Sequence, residues 1–237
     1  MSKIRSAIIK LYIKSVDTWE YYLFKIKGQS YSEYYAHRMN RIVKHNPNWG
    51  SNLNKKFQLE FLISQGLSPK GEFLDYGCGA LASGVHFIDY LETGKYTGVD
   101  ISVEAVNEGI RRVENKGLAN KIPIVKVIKS GEIQEFNGKK FDFVWAQSVF
   151  THLPPDESEK IISELKSFLS TAGRFYVTFC ITNSQIGQKN YKDWFYPVSF
   201  FEEVACRNGL NVNIVKEWKH PEDTLGVDTL IYFSLKN

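Results

Sequence analysis

The spacing of hydrophobic and polar residues divides the chain into two regions. Up to about residue 70, positions at intervals of three and four form stripes, which is the period of an amphipathic helix. A first stripe holds Ile4, Ile8, Leu11, Ser15, Trp19 and Tyr22, and a second holds Leu53, Phe57 and Phe61 and ends at Gly66. From Gly71 onward, short apolar runs alternate with helical stretches. The pattern predicts a helical N-terminal cap, residues 1–70, followed by an α/β domain, residues 71–237.

The second region contains seven predicted strands. They are Phe73–Tyr76, Tyr96–Val99, Ile122–Ile128, Phe141–Ala146, Gly173–Phe179, Val212–Trp218 and Thr229–Leu235. Predicted helices follow the first, second, fourth and fifth strands, and strands separated by helices imply a parallel sheet with right-handed crossovers. The last two strands are joined only by a loop, which predicts one antiparallel strand at the end. We therefore expect a doubly wound, seven-stranded sheet.

Composition narrows the class of protein. Of 237 residues, 43% are hydrophobic and 24% are charged, which is ordinary for a folded domain and argues against disorder. The cysteines Cys78, Cys180 and Cys206 are odd in number and lack zinc-site spacing. We therefore expect no metal site and no disulfide framework, and a reducing, cytoplasmic environment. No run approaches the roughly 18 apolar residues of a membrane span.

The positive charge is concentrated at the N-terminus. Residues 1–50 contain nine Lys or Arg and three Asp or Glu, a net +6, whereas the whole chain carries +4. One interpretation is an anionic partner, such as a membrane surface contacted through Lys3, Arg5, Lys10 and Lys14. The other is the solvated face of an amphipathic helix. Because no RNA-binding module is recognisable, we do not expect a nucleic-acid partner.

Residues suited to binding a ligand follow the predicted strands. In an open parallel sheet, ligands bind beyond the carboxyl ends of the strands. These positions hold Asp75, Gly77, Cys78 and Gly79 after the first strand, Asp100 and Ile101 after the second, Gly131 and Glu132 after the third, and Gln147 after the fourth. The set suits a ligand that combines an amino acid, a ribose and a base.

The glycine loop alone is ambiguous. Gly77, Gly79 and Ala82 also fit the dinucleotide pattern G-x-G-x-x-A with its downstream acid, Asp100. Asp75 separates the two interpretations, because a carboxylate beside the loop repels a pyrophosphate but attracts the ammonium of an amino acid ligand.

Three segments in order resemble the motifs of class I S-adenosylmethionine-dependent methyltransferases: Phe73–Gly79, Tyr96–Ser102 and Phe141–Leu153. The resemblance covers about residues 71–237 and implies a Rossmann-like fold with S-adenosylmethionine as cofactor. It also implies that Asp75, Gly77 and Gly79 hold the methionine part, Asp100 the ribose and Glu132 the adenine, with Gln147 beside the sulfonium. The loop departs from the usual pattern in having Ala80-Leu81-Ala82 in place of further Gly or Pro.

Aromatic residues indicate where the acceptor binds. The loop Ile181–Pro197 is long for its kind, which favours a binding role, and we expect Tyr191, Trp194 and Tyr196 there, with Tyr34 and Tyr35 from the N-terminal helices, to contact the acceptor. Their alternative role is to cover the edge of the sheet. His152, after the fourth strand, is the candidate catalytic residue, although it is also placed to cap the following helix.

The predicted reaction is an in-line displacement at the sulfonium methyl group, which mainly requires alignment of the reactants and exclusion of water. The sequence has no Asn/Asp-Pro-Pro-Tyr after the fourth strand and no Pro-Cys pair, which disfavours amino-methylating enzymes of adenine or glutamine and cytosine-C5 enzymes. We therefore expect a small-molecule or glycan acceptor methylated on oxygen or nitrogen. The alternatives are an RNA methyltransferase that uses the basic N-terminus and a non-catalytic S-adenosylmethionine-binding protein.

Overall fold

In the computed structural model, the structure describes residues 15–46, 55–129, 136, 138–221 and 228–236. Residues 15–26 are helical and are called α1 here. The other helices are α2 (Tyr31–His45), α3 (Lys56–Ser64), α4 (Gly84–Tyr90), α5 (Val103–Asn115), α6 (Pro155–Leu165) and α7 (Val198–Asn208). The strands are β1 (Phe73–Tyr76), β2 (Tyr96–Asp100), β3 (Ile124–Val127), β4 (Phe141–Ala146), β5 (Leu169–Ile181), β6 (Gly187–Lys189), β7 (Asp193–Tyr196), β8 (Leu210–Ile214) and β9 (Asp228–Leu235).

A single sheet joins all the described strands. Its order runs β3-β2-β1-β4-β5, and these five strands are parallel. β9 pairs antiparallel with β5 and with β8. The predicted α/β architecture with an antiparallel last strand is therefore confirmed.

The number of strands differs from the prediction, because nine are described where seven were expected. The two additional strands, β6 and β7, form a hairpin within the predicted loop Ile181–Pro197, and β7 also pairs with the end of β5. Asn190 and Tyr191 have φ values of 52° and 59° at the hairpin turn, the backbone that tight hairpins require. Neither is a glycine, so the turn left little signal in the sequence.

Strand β8 also ends earlier than predicted. The expected strand reached Trp218, but pairing with β9 stops at Ile214. Trp218 turns back and packs its ring 5.0 Å from the ring of Phe61 on α3. The gain from burying a large aromatic surface explains why these residues leave the strand.

Each face of the sheet is covered by helices. α6 and α7 contribute Ile161, Ile162, Leu165, Phe201 and Val204 to the core on one face. α3 and α4 contribute Leu59, Leu62, Val85, Phe87 and Ile88 to the core on the other. The loops at the carboxyl ends of β1, β2 and β4 remain between these two layers.

Helix α2 bridges α5 and α6 across these loops. Its N-terminus is stabilised by a capping box in which Ser30 and Glu33 bond each other's backbone amides. Ser32 donates from its backbone amide to Glu157 of α6 at 3.2 Å. Asn40 accepts hydrogen bonds from the Ser102 hydroxyl at 2.8 Å and from the Glu104 amide at 3.1 Å, both at the start of α5. Both flanking helices therefore fix α2.

Two kinds of feature are absent from the described residues. No helix there is long and apolar enough to cross a membrane. The same residues contain no group of three or more His, Cys, Asp or Glu side chains arranged to hold a metal ion.

Candidate functional site

A cavity of about 620 Å³ lies where β1, β2 and β4 end. Its volume falls within the range of roughly 300–1,000 Å³ that is usual for small-molecule sites. On one side is the strand-end wall, defined by Gly77, Gly79, Asp100, Ile101 and Gln147. Opposite is the helical wall, which α2 supplies through Ser32, Tyr35, Arg38 and Met39.

The loop after β1 depends on glycine at two positions for different reasons. Gly77 has a φ of +79°, and a Cβ there would lie 2.3 Å from Cγ2 of Val149, so no side chain fits. Gly79 has a φ of +53°, and a Cβ there would meet no atom within 4 Å. The backbone at Gly79 is therefore open to a ligand.

Leu81, where the sequence departs from the usual loop, keeps the same kind of backbone without being a glycine. Its φ is 55°, a conformation that costs a residue with a side chain about 1 kcal/mol or more. Its side chain is fully buried, next to the helical glycines Gly84 and Gly109. Burial of the leucine, worth roughly 1.5–3 kcal/mol, offsets this strain.

Asp100 anchors the loop and faces the cavity. Its carboxylate accepts hydrogen bonds at 2.8 Å from the backbone amides of Gly79 and Ser102. Burial raises the pKa of Asp100, and the same amide donors act in the opposite direction. A carboxylate held in this way can still accept hydrogen bonds from a diol in the cavity.

Asp75 lies beneath the loop instead of in the cavity wall. Its side chain is buried, with 3% exposed, and accepts a hydrogen bond from the Tyr96 hydroxyl at 2.7 Å. Burial raises the pKa of this carboxyl to about 7, the Tyr96 hydrogen bond lowers it and the charge of Asp100 raises it. Cys78, beside it, is also buried, and burial raises the pKa of its thiol.

A chain of hydrogen bonds leads from the core to the end of β4. The Trp145 indole donates to Gln58 at 2.9 Å, Gln58 donates to Gln147 at 3.5 Å, and the Gln147 amide donates to the Ser148 hydroxyl at 2.6 Å. Ser148 has a φ of 58° and donates its backbone amide to the Thr178 hydroxyl at 2.7 Å. Strained residues of this kind cluster at functional sites, where surrounding contacts impose the geometry.

The helical wall carries a fixed cation. The Arg38 Nε lies 3.0 Å from Asp17 of α1, and the guanidinium carbon lies 5.9 Å from the centre of the Tyr35 ring. Asp17 also accepts from Arg41 at 2.6 Å, and Arg41 bonds Glu20 at 2.9 Å. Asp17 therefore orients Arg38, which lines the cavity, and Glu20 holds the neighbouring Arg41.

His152 lines the cavity between the two walls. Its Nδ1 lies 2.9 Å from the carbonyl oxygen of Lys192 and 3.4 Å from Oδ1 of Asp193, and its ring stacks on Tyr35 with the centroids 5.1 Å apart. Burial raises the pKa of Asp193, but hydrogen bonds from His152 and Lys192 outweigh it and lower the pKa to about 2. Acceptors at Nδ1 favour the tautomer with its proton there, which leaves Nε2 with a free electron pair.

The other predicted acceptor residues surround the cavity without lining its described part. Tyr196 is fully buried and donates to the Leu153 carbonyl, and Tyr34 is buried with its hydroxyl 3.3 Å from the carbonyl oxygen of Asp17. Tyr191 packs against Tyr21 of α1, and Trp194 packs edge-on against Tyr31. Their observed contacts stabilise the helical wall and the hairpin. Gly131 and Glu132 lie outside the described residues.

Sequence reasoning missed several residues of the cavity. Lys55 precedes α3, Lys192 lies in the β6–β7 turn, and Tyr76 and Val149 flank the strand ends. For Tyr76 the signal was available, since it sits at the end of a strand already assigned to the site. The β6–β7 hairpin, which was not predicted, is what brings Lys192 to the cavity.

Comparison with known families and folds agrees with this geometry. The model of a family described as "Methyltransferase domain" matches residues 67–222, about two thirds of the chain.

Solved structures show the same fold. The magnesium protoporphyrin IX methyltransferase (ChlM) from Synechocystis PCC 6803, with bound SAH, is similar over 87% of this chain and 100% of that chain, with a TM-score of 0.66 and 13% identity. The same enzyme with bound SAM is similar over 82% and 84%, with a TM-score of 0.60 and 17% identity. The CcbJ methyltransferase from Streptomyces caelestis is similar over 78% and 91%, with a TM-score of 0.59 and 11% identity. At these identities the likeness establishes the shared fold.

Proposed function

The chain belongs to the methyltransferase domain family and is a class I S-adenosylmethionine-dependent methyltransferase, and from this premise we propose that it methylates a hydroxyl group of a small-molecule acceptor. The observation that carries the proposal is the position of His152. This side chain lies in the cavity wall, and its Nδ1 faces a carbonyl and a carboxylate. A methyl acceptor needs such a base only when it enters the site protonated.

The strand-end wall fits the cofactor. Gly79 leaves open space beside the loop, and Asp100 presents a buried carboxylate to the cavity, as ribose hydroxyls require. Arg38, oriented by Asp17, supplies a cation for the carboxylate of the methionine part. When bound, S-adenosylmethionine supplies a methyl group on a cationic sulfur. Gln147 would lie near this group, and Glu132 and Gly131 stay predictions for the adenine.

His152 would remove the acceptor's proton. Its Nε2 would accept the hydroxyl proton as the acceptor oxygen gains negative charge, and S-adenosylmethionine would supply the methyl group and leave as the neutral thioether S-adenosylhomocysteine. Asp193, whose pKa of about 2 keeps it ionised, stabilises the resulting imidazolium. Tyr35, stacked on the imidazole, holds the plane of the ring.

The charge of the cavity favours a hydroxyl over an ammonium acceptor. Arg38, Lys55 and Lys192 line it, with Asp100 as the acid among the described lining residues. An ammonium group would meet like charges as well as the sulfonium, whereas an oxygen that loses its proton gains negative charge as it reacts. Among the solved structures of this fold, ChlM is named for a small-molecule acceptor, which supports the same class.

The experiment uses S-adenosylmethionine with a radiolabelled methyl group. The purified protein is incubated with a low-molecular-weight metabolite fraction and, separately, with RNA and protein fractions. We expect label in the small-molecule fraction, in a product stable to mild alkali, as a methyl ether is. Label confined to RNA or protein, an alkali-labile methyl ester, or cofactor binding without transfer to any fraction would each contradict the proposal.

The role of His152 is tested with the labelled acceptor found in this way. His152→Gln should lower kcat by about 10²–10⁴-fold, the range for loss of a general base, and leave the Kd of S-adenosylhomocysteine unchanged. Asp193→Asn should lower kcat less and shift the pH–rate profile. The matched control is His45→Gln, an exposed histidine in the last turn of α2. Equal kcat values for His152→Gln and the control would remove His152 from the mechanism.

A further inference from the structure

Helix α1 presents a row of large apolar side chains to solvent. Trp19, Tyr22 and Ile26 follow one another at intervals of three and four residues, so they share one face of the helix. Their exposed fractions are 66%, 47% and 82%. Aromatic and aliphatic side chains aligned in this way on a surface helix mark an interaction site. We call these three residues the α1 face.

The charges around the α1 face are positive. Lys25 and Lys27 are exposed at the end of the helical segment. The acids of the same helix, Asp17 and Glu20, are turned inward and paired with Arg38 and Arg41. With its acids paired inward, the described part of this segment leaves the charges of Lys25 and Lys27 exposed, and the sequence of residues 1–50 as a whole carries a net +6.

The α1 face lies close to the β6–β7 turn, which contributes to the cavity. The rings of Tyr21 and Tyr22 lie 5.0 and 5.7 Å from the ring of Tyr191, which directly precedes the cavity residue Lys192. The same helix orients Arg38 in the cavity wall. Any surface that binds α1 is therefore brought close to two residues of the cavity lining, Lys192 and Arg38.

We propose that the α1 face docks onto an anionic lipid bilayer. Trp and Tyr are the residues favoured at the boundary between lipid headgroups and acyl chains, where a ring is buried and its polar atom stays hydrated. An amphipathic helix with such a face lies in the plane of the bilayer, and neighbouring lysines interact with acidic headgroups. A second copy of the chain is the less suitable occupant, because a symmetric pairing of α1 faces offers Lys25 and Lys27 no acid of α1, since Asp17 and Glu20 are paired with Arg38 and Arg41.

The experiment is flotation with vesicles made of equal parts phosphatidylcholine and phosphatidylglycerol, in parallel with pure phosphatidylcholine vesicles. The full chain is compared with the triple variant Trp19→Ser, Tyr22→Ser and Ile26→Ser. A matched triple control replaces exposed residues of the α/β domain, Ile122→Ser, Ile186→Ser and Ile214→Ser, whose exposed fractions are 66%, 37% and 51%. The Kd of S-adenosylhomocysteine shows that each variant is folded, and it is independent of vesicle binding.

We expect the full chain and the control to float with the anionic vesicles, and the α1-face variant to bind at least about tenfold more weakly. Lys25→Gln with Lys27→Gln should weaken binding by about fivefold for each lysine, and high salt should act in the same direction. Absence of flotation, equal binding to neutral vesicles, or equal binding by the α1-face variant would overturn the proposal. So would a dimer of the full chain that the α1-face variant converts to monomer.

Discussion

The two walls of the cavity are built by different means. The strand-end wall is made mostly of backbone and of one carboxylate, at positions fixed by the ends of β1, β2 and β4. The helical wall is made of side chains from one helix, and contacts with α5, α6 and α1 hold that helix in place. One wall follows from the register of a parallel sheet, whereas the other depends on a few polar contacts far apart in sequence.

This difference separates cofactor from acceptor in physical terms. A wall of backbone amides and glycines changes little without altering the sheet itself, so it suits a ligand that stays the same. A wall of side chains on a docked helix can be changed residue by residue without altering the core. The sheet and its ligand are therefore shared with the methyltransferase family, while Tyr35 of the helical wall and the β6–β7 turn would set the acceptor.

The largest expected effect is a pH dependence of the free energy of unfolding. It comes from Asp75, which lies beneath the strand-end wall. Burial first, and the charge of Asp100 in addition, raise the pKa of Asp75 from 3.8 to about 7. Between those values the folded protein keeps a proton that the unfolded chain has lost, so the free energy of unfolding falls as pH rises and levels off above about 7. A difference of about three pKa units corresponds to at most about 4 kcal/mol.

Urea unfolding at pH 4.5, 6 and 7.5 measures this fall. Asp75→Asn should flatten it, because an amide does not ionise and can still accept from Tyr96. Asp89→Asn, at an exposed position on α4, is the control and should retain the wild-type slope. If Asp75→Asn and wild type show the same dependence, the carboxyl at position 75 ionises normally in the fold.

What the sequence could predict follows the same division. The α/β order, the antiparallel β9 and the placement of Gly77, Gly79 and Asp100 at strand ends came from apolar periodicity and turn residues, which are local signals. The β6–β7 hairpin was not predicted, because Asn190 and Tyr191 adopt a turn backbone without glycine. The buried position of Asp75, with its hydrogen bond from Tyr96, was not predicted, because it results from packing between two strands.

The next effect concerns the helical wall. Asp17→Asn should destabilise the pairing of α1 with α2 by about 3 kcal/mol, because Arg38 and Arg41 lose a buried counter-charge. Hydrogen exchange of the α2 amides should then rise by about 10²-fold, the same free energy expressed as a ratio of populations. Amides of β1 and β4 should be unaffected. Lys44→Gln, exposed on the same helix, is the control, and equal protection in the two variants would show that the ion pairs do not hold the wall.

The smallest effect is expected at Asp100, where one side chain serves both the loop and the ligand. Asp100→Ala removes the acceptor for the Gly79 and Ser102 amides and for the ribose diol, so S-adenosylhomocysteine should bind about 1.5–3 kcal/mol more weakly. Calorimetry measures this change, with Asp89→Ala as the control. Thermal unfolding of the ligand-free variant distinguishes the two roles. A Tm close to wild type assigns the lost binding free energy to contacts with the ligand, whereas a lowered Tm assigns it to the loop. An unchanged Kd would show that Asp100 only holds the loop, and the cofactor would then owe its binding to the glycine backbone and to Arg38.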